Sequence, residues 1–233
     1  MLSDIYKYMV LARKQETSTT TTLSLSLLDG SIPRYKSGQY LTVYFPDLSP
    51  TLGKQYSISS APCEQIFRIT VKAIGRFSDR LCSLENGDVF IASKPEGTFC
   101  PTYRHPLIML AGGIGITPFR SMIIESVNQR PTLPITLFYS AKLSQDMPFG
   151  IELYTFAQQR SSLSIERFAT QESSPSSDMK YRRMRSDDIL KYTSDNIFVE
   201  YLVSGSLSFV LDVKNILSNH GVDRAHILTE ACF

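Results

Sequence analysis

The chain has 233 residues, enough for one large domain or two small ones, each with a core of its own. Its 24 lysines and arginines against 22 aspartates and glutamates leave a net charge of +2, which argues against a nucleic-acid surface, and 42% hydrophobic residues is an ordinary globular proportion. The opening "MLSDIYKYMV" carries an acid and no long apolar core, so it does not read as a signal peptide; the longest apolar region, residues 106–124, is broken by glycines, two prolines and Arg120 and is no membrane span. The expectation is a cytoplasmic protein.

Up to about residue 103 short runs alternate apolar and polar positions: "TLSLSL" (residues 22–27), "QYLTVYF" (39–45) and "FRITVKA" (67–73). Turn sequences such as "DGSIP", "FPDLSPTLG" and "ENGD" separate them, which is the texture of an antiparallel β-barrel or sandwich. Within this half, strand alternation in "KQYSISS" (54–60) puts Lys54, Tyr56 and Ile58 on one face and Gln55, Ser57 and Ser59 on the other. "GRFSDRL" (75–81) pairs Gly75 with Ser78 ahead of a short helix.

After "CPTYRHP" (100–106) apolar strands alternate with helical patterns. "PLIMLAG" is followed by a helix from Pro118, "PITLFYS" by a helix near residues 151–158, and "NIFVEYLVS" by a helix from Ser208; "LSIERF" and "AHILTE" are further strands. This order implies parallel βαβ units in a doubly wound sheet. The fold class expected is therefore a β-barrel domain over residues 1–102 and an α/β domain over 103–233, with "TQESSPSSDMKYRR" (170–183) as a polar surface loop.

At the first strand-to-helix turn, "AGGIGITPF" (111–119), Gly112, Gly113 and Gly115 let the backbone approach a ligand closely. Thr117 is a good N-cap and Pro118 suits the first helical position. Phe119, Met122 and Ile123 recur on one helical face. Free amides and the positive helix end then point out of the turn, as a phosphate or pyrophosphate requires. Pro118 stands where the dinucleotide fingerprint has its third glycine.

Cys63, Cys82, Cys100 and Cys232 are scattered, which argues against a ferredoxin-type iron–sulfur cluster or a local zinc site and suits reduced structural thiols. His105, His220 and His226 are equally dispersed, and none has a partner that would make it a ligand or base.

Taken in order, these stretches resemble the ferredoxin–NADP reductase family, whose members join an FAD-binding barrel to a pyridine-nucleotide domain. "GQY" (38–40) resembles the strand before the flavin site, "KQYS" (54–57) the R-x-Y-S/T motif and "GRFS" (75–78) the G-x-x-S motif. "PEGTF" (95–99) is similar to a G-P-x-G-x-F turn, "AGGIGITPF" to the nucleotide turn, "VSGS" (203–206) to the C-G-P/S turn and "EACF" (230–233) to the acidic and aromatic C-terminus. The resemblance implies that Tyr56 and Gln55 lie along the flavin and that Ser57 bonds flavin N5. It gives Lys54, Arg76, Phe77 and Ser78 the FAD pyrophosphate, and Gly112, Gly113, Gly115 and Thr117 that of NADPH or NADH. Ser204, Gly205 and Glu230 are implied beside the nicotinamide, and Phe233 over the flavin. Three residues depart from the pattern: Lys54 stands for arginine and loses a bidentate fork, Ser204 stands for cysteine, and one extra residue separates Glu230 from Phe233.

The choice of nucleotide is read from the second strand of the α/β half. It ends in Ser140 and Lys142 with no acid before Asp146, and a basic cluster, Lys180, Arg182, Arg183 and Arg185, follows the polar loop. These would suit a 2′-phosphate, or else be solvated surface charges. The implied activity is an FAD-dependent NAD(P)H oxidoreductase passing electrons to a separate acceptor such as ferredoxin, flavodoxin, an oxygenase component or a small molecule. A free-flavin reductase and a non-catalytic flavin- or nucleotide-binding subunit are the alternatives.

Overall fold

The computed structural model describes residues 5–49, 52–130, 132–173, 179–192 and 198–232. Two compact units divide the chain: Met1–Cys100 with Arg120–Glu125, and Pro101–Phe119 with Ser126–Phe233.

The first unit holds β1 (Ile5–Thr17), β2 (Thr20–Leu27), β3 (Tyr40–Tyr44), β4 (Lys54–Ser57), β5 (Phe67–Lys72) and β6 (Val89–Ser93). They form one antiparallel sheet in the order β4-β3-β6-β1-β2-β5. Just past β4, a bridge between Ile58 and Ile69 and the bond from the Ser59 amide to the Arg68 carbonyl (2.8 Å) bring the chain back against β5. The sheet thus closes on itself, which pairs edges that would otherwise be exposed. Period-two alternation supplies the interior: Leu23 and Leu25, Leu41 and Val43, Ile69 and Val71, Phe90 and Ala92, and Tyr8 and Val10 are all buried in one cluster. In β1 the alternation is interrupted by register shifts between Val10 and Ala12 and between Gln15 and Thr17, so its faces swap along its length.

The first unit also takes in Arg120–Glu125, and one ion pair gives the reason. The buried Arg120 guanidinium donates to both carboxylate oxygens of Glu64 (2.8 and 3.0 Å) and to the Ser59 carbonyl (2.9 Å). Burial pushes the Glu64 carboxyl up, but the Arg120 and Ala61 hydrogen bonds and the charges of Arg120 and Arg68 outweigh it and hold it below its ordinary value.

The second unit runs β7 (Leu107–Gly112), α2 (Ile116–Gln129) apart from its residues 120–125, β8 (Ile135–Ala141), α3 (Gly150–Gln158), β9 (Leu163–Ala169), α4 (Ser186–Leu190), β10 (Glu200–Ser206), α5 (Leu207–Asn219) and β11 (Ile227–Cys232); α1 (Arg76–Cys82) belongs to the barrel. Its five strands are parallel in the order β11-β10-β7-β8-β9. One face carries Ile108, Leu110, Phe138, Phe168, Tyr201 and Val203 in a cluster with Ile189 of α4 and Val210, Val213 and Leu217 of α5. The alternate positions, Leu107, Met109, Ala111, Leu137 and Leu202, are buried as well. Burial on both faces is why these strands read as nearly continuous apolar runs.

Candidate functional site

From its starting strand β7 the chain visits β8 and β9 on one side and β10 and β11 on the other. Between β7 and β10 the direction of winding reverses, and ligands of open parallel sheets bind beyond the carboxyl ends of the strands at such a point. Gly112 ends β7 there, and Ala111 pairs with Ser204 of β10.

The glycine turn winds earlier than the sequence suggests. Gly113–Gly115 form a turn of 3₁₀ helix that runs directly into α2, so Gly115 takes the cap position, Thr117 lies inside the first turn and Pro118 is the third helical residue rather than the first. Thr117 is therefore not the N-cap: its buried hydroxyl donates back to the Ile114 carbonyl (2.9 Å). The lost side-chain cap leaves the amides of the turn itself without intrahelical acceptors, and these are the groups an anion would meet. Gly113, at φ +55°, faces open space where a Cβ would project. A Cβ on Gly115 would stand 2.3 Å from the Ser204 carbonyl oxygen and 2.5 Å from the Gly205 nitrogen, so the turn is pressed against β10. Gly112 and Gly205 both abut the Phe209 ring, at 2.7 and 2.8 Å from where a Cβ would sit.

On β10 and β11 the register pairs Ser204 with Glu230 and Ser206 with Cys232. Ser204 is fully buried, and its hydroxyl makes no hydrogen bond of normal geometry among the described residues. It does act on the Cys232 thiol: burial and the charge of Glu230 push that thiol up to about 11, and the Ser204 hydroxyl pulls it partly back. Phe233 lies outside the described residues.

At the end of β8 the structure supplies a group that reading along the chain misses. The chain past β9 runs beside β8, with Thr170 and Gln171 amides on the Ala141 and Lys142 carbonyls (3.0 and 2.9 Å). Glu172 is thereby delivered to the loop after β8, where its carboxylate holds the Ser144 amide (2.7 Å) and hydroxyl (3.0 Å). Lys142 is exposed beside it and Ser140 is buried, in register with Gly112. The basic cluster divides. Lys180 binds Glu166 (2.7 Å) and Asp188 (3.1 Å), and Arg182 forks onto Asp188 (2.6 and 2.7 Å). Those two cations hold α4 in place, while Arg183 and Arg185 remain exposed. Part of the polar loop, residues 174–178, and Asn196 and Ile197 lie outside the described residues.

In the barrel, β4 and the turn before α1 come together. The Tyr56 ring stacks on Phe77 (6.5 Å, 19°), and Phe77 packs on Phe45 (4.9 Å). Burial, with a smaller push from Cys82, raises the Tyr56 phenol well above its ordinary value, so it stays a protonated donor. Lys54 and Gln55 are exposed, and Ser57 is half-buried in register with Tyr40. Ser78 turns inward: its hydroxyl accepts from the Ile74 and Gly75 amides (2.9 and 3.2 Å) and donates to the Gly75 carbonyl (2.9 Å). Its geometry shapes the turn, and the groups left to face a phosphate are the amides of Arg76 and Phe77 at the helix start, beside the open space over Gly75.

The oxidoreductase NAD-binding domain model matches residues 109–215, from β7 into α5. The flavohem-like FAD/NAD-binding domain of nitric oxide dioxygenase from Vibrio cholerae superposes with a TM-score of 0.84 at 23% identity, covering 98% of each chain. Ferredoxin NADP+ reductase from Neisseria gonorrhoeae, solved with FAD and NADP, gives 0.82 at 20% identity over 99% of this chain and all of that one. Bacillus subtilis flavohemoprotein is 30% identical over 226 residues, 93% of this chain. The chain has the two-domain fold of these reductases, and its α/β half matches the oxidoreductase NAD-binding domain. It spans about half the length of the curated relatives it matches, 56% in the Bacillus subtilis case. That fold accounts for both clusters: a closed barrel carrying Tyr56 and the Gly75 turn, and a parallel sheet carrying the glycine turn at its switch point. No helix among the described residues is long and apolar enough to cross a membrane.

Proposed function

We propose that this chain is an FAD-dependent NAD(P)H oxidoreductase that hands electrons to a separate acceptor, with ferredoxin, flavodoxin, an oxygenase component or a haem-containing partner as the acceptor classes. The observation that carries this reading is the glycine turn at the β7/β10 switch point, where Gly115 is pressed against Ser204 while a side chain at Gly113 would project into open space. An oxyanion fits such a turn because it needs close backbone approach and several unpaired N–H donors. The donor set contains no metal-like cluster of acids, thiols and imidazoles among the described residues, and the amide-rich chemistry matches a dinucleotide pyrophosphate.

In the barrel, the Arg76 and Phe77 amides and the exposed Lys54 would hold the FAD pyrophosphate. The Tyr56 phenol, kept protonated by burial, would donate to the ribityl chain. Ser57 would place its hydroxyl at flavin N5. When bound, FAD accepts hydride from the nicotinamide and releases electrons singly; the protein orients the partners and excludes water. The four cysteines form no disulfide, which suits a reducing, cytoplasmic setting.

Lys54 favours one alternative. An exposed ammonium makes a weaker phosphate clamp than a guanidinium fork, as a free-flavin reductase would have. The visible spectrum of the purified protein separates the readings. A yellow protein that bleaches with NADPH or NADH under nitrogen supports the proposal. A colourless protein that reduces added flavin supports the alternative, and a yellow protein inert to both nucleotides defeats both.

A further inference from the structure

We propose that the outer face of the barrel at β1 and β6 is a docking surface for a second copy of this chain. The sequences of these two strands do not match their burial. "YMVLA" (8–12) and "VFIA" (89–92) are uninterrupted apolar runs, the pattern of strands covered on both faces, as β7 and β8 are. In the barrel one face is covered and the other is open. Tyr8, Val10, Phe90 and Ala92 point into the core cluster, so Met9 and Ile91 point outward, where they are half-buried; Leu11 and Val89 beside them are 46% and 48% exposed. The register pairs Met9 with Val89 and Lys7 with Ile91, so the apolar side chains form one strip across two adjacent strands. The outward positions of β2 and β5 are those of an ordinary barrel surface: Thr22, Ser24 and Ser26, and Arg68, Thr70 and Lys72. An apolar strip bounded by polar strands marks a surface made to be covered.

The charges at the two ends of the strip identify what covers it. Exposed Lys7 stands at one end, opposite Ile91. At the other end, bonds from the Val10 amide to the Asp88 carbonyl (2.9 Å) and from the Gly87 amide to the Val10 carbonyl (2.8 Å) carry the pairing into a turn where Glu85 and Asp88 are exposed. The further cations of β1 lie past its first register shift and are engaged there: Arg13 donates to the Cys82 carbonyl (3.0 Å) and Lys14 to Glu16 (2.9 Å). The strip is therefore basic at one end, acidic at the other and apolar between. Two copies packed face to face about a twofold axis across the strands set Lys7 of each against the Glu85 and Asp88 end of the other, with Leu11 meeting Ile91 and Met9 and Val89 at the centre. Packing with the strands in the same direction would set Lys7 on Lys7 and acid on acid, so the charges select the antiparallel arrangement. So few apolar side chains fall short of a standard interface of about 800 Å² a side, and the dimer should be weak, with a Kd of about 10–100 µM.

Sedimentation velocity of the whole chain between about 5 and 300 µM should show a monomer–dimer equilibrium in that range. Leu11→Ser and Val89→Thr should each weaken it at least about tenfold with the melting temperature unchanged, because each contact occurs twice across the axis. Lys7→Glu and Glu85→Lys should each weaken self-association at least about tenfold, and an equimolar mixture of these two variants should dimerise within about threefold of the wild type, since opposite charges then meet again at both ends. A folding defect cannot produce that rescue. Raising the salt from about 50 to 500 mM should weaken the wild-type dimer about two- to fivefold. Three results overturn the proposal: a wild-type chain that stays monomeric throughout, which leaves the strip to a different protein; a dimer that survives Leu11→Ser and Val89→Thr, which places the contact on another face; and a mixture of the charge variants that stays monomeric.

Discussion

Gly113 and Gly115 lie two residues apart in one turn, and the structure assigns them opposite sensitivities. In Gly115→Ala the new methyl meets backbone atoms of β10 at 2.3–2.5 Å, where ordinary contact begins near 3.4 Å. About 1 Å of movement is needed, and neither a central strand nor the start of α2 can rotate away as a side chain could. Overpacking costs roughly 1–3 kcal/mol, and a backbone obstacle places this case at the upper end or beyond. In Gly113→Ala the methyl meets nothing within 4 Å, and the cost is that of a left-handed conformation, about 1–2 kcal/mol. At about 2–4 °C per kcal/mol for a chain of this size, Gly113→Ala should lower the melting temperature by about 2–8 °C and Gly115→Ala by about 6–12 °C or more. Binding should reverse the order of interest: the Gly113→Ala methyl projects into the space over the turn amides, so a well-folded variant should lose more than about tenfold in affinity for the dinucleotide. Thermal melts by circular dichroism, with calorimetric titration of each variant, measure both quantities. Wild-type melting of Gly115→Ala would show that the turn does not press on β10. Wild-type affinity in Gly113→Ala would show that no phosphate lies over the turn.

Ser57→Ala should slow flavin reduction about tenfold to a hundredfold while leaving nucleotide affinity intact, since one oriented hydroxyl at N5 contributes on the order of 1–3 kcal/mol; stopped-flow reduction at the wild-type rate removes it from the mechanism. Glu172→Gln should move the kcat/KM ratio toward NADPH and Lys142→Glu toward NADH, with both shifts shrinking at high salt; salt-independent or absent shifts would place the 2′-position elsewhere. Glu166 is pulled below its ordinary value to about 2, because hydrogen bonds from Lys180, Lys191 and Tyr192 outweigh its burial. A depressed carboxylate stabilises the fold above its unfolded value and loses that contribution as pH falls through the folded one, so a contribution that solvent screening reduces to about 1 kcal/mol should disappear between about pH 4.5 and 2. Glu166→Gln should flatten that part of the acid-unfolding curve, and an unchanged curve refutes the network's role.

Local pattern alone determined much of this protein. The alternation in β2, β3 and β5, the apolar runs of β7, β8 and β10, and the glycines between β7 and α2 are legible because burial on one face or two imposes a period on neighbouring residues. Where that period breaks, as at the two register shifts of β1, the strand is hard to see in the chain and plain in the sheet. Ends of elements are hard to read in the chain for a related reason: Thr117 has the chemistry of a cap, yet the helix starts at glycines whose amides need no side chain to be useful. Partnerships across long separations were decided only by the tertiary structure. Lys180 and Arg182 appear as free cations until Glu166 and Asp188 are brought to them, and Glu172 becomes part of the β8 loop only because the chain past β9 pairs alongside it. A charge's role depends on what lies within a few ångströms of it, and a sequence records distance along the chain, not distance in space.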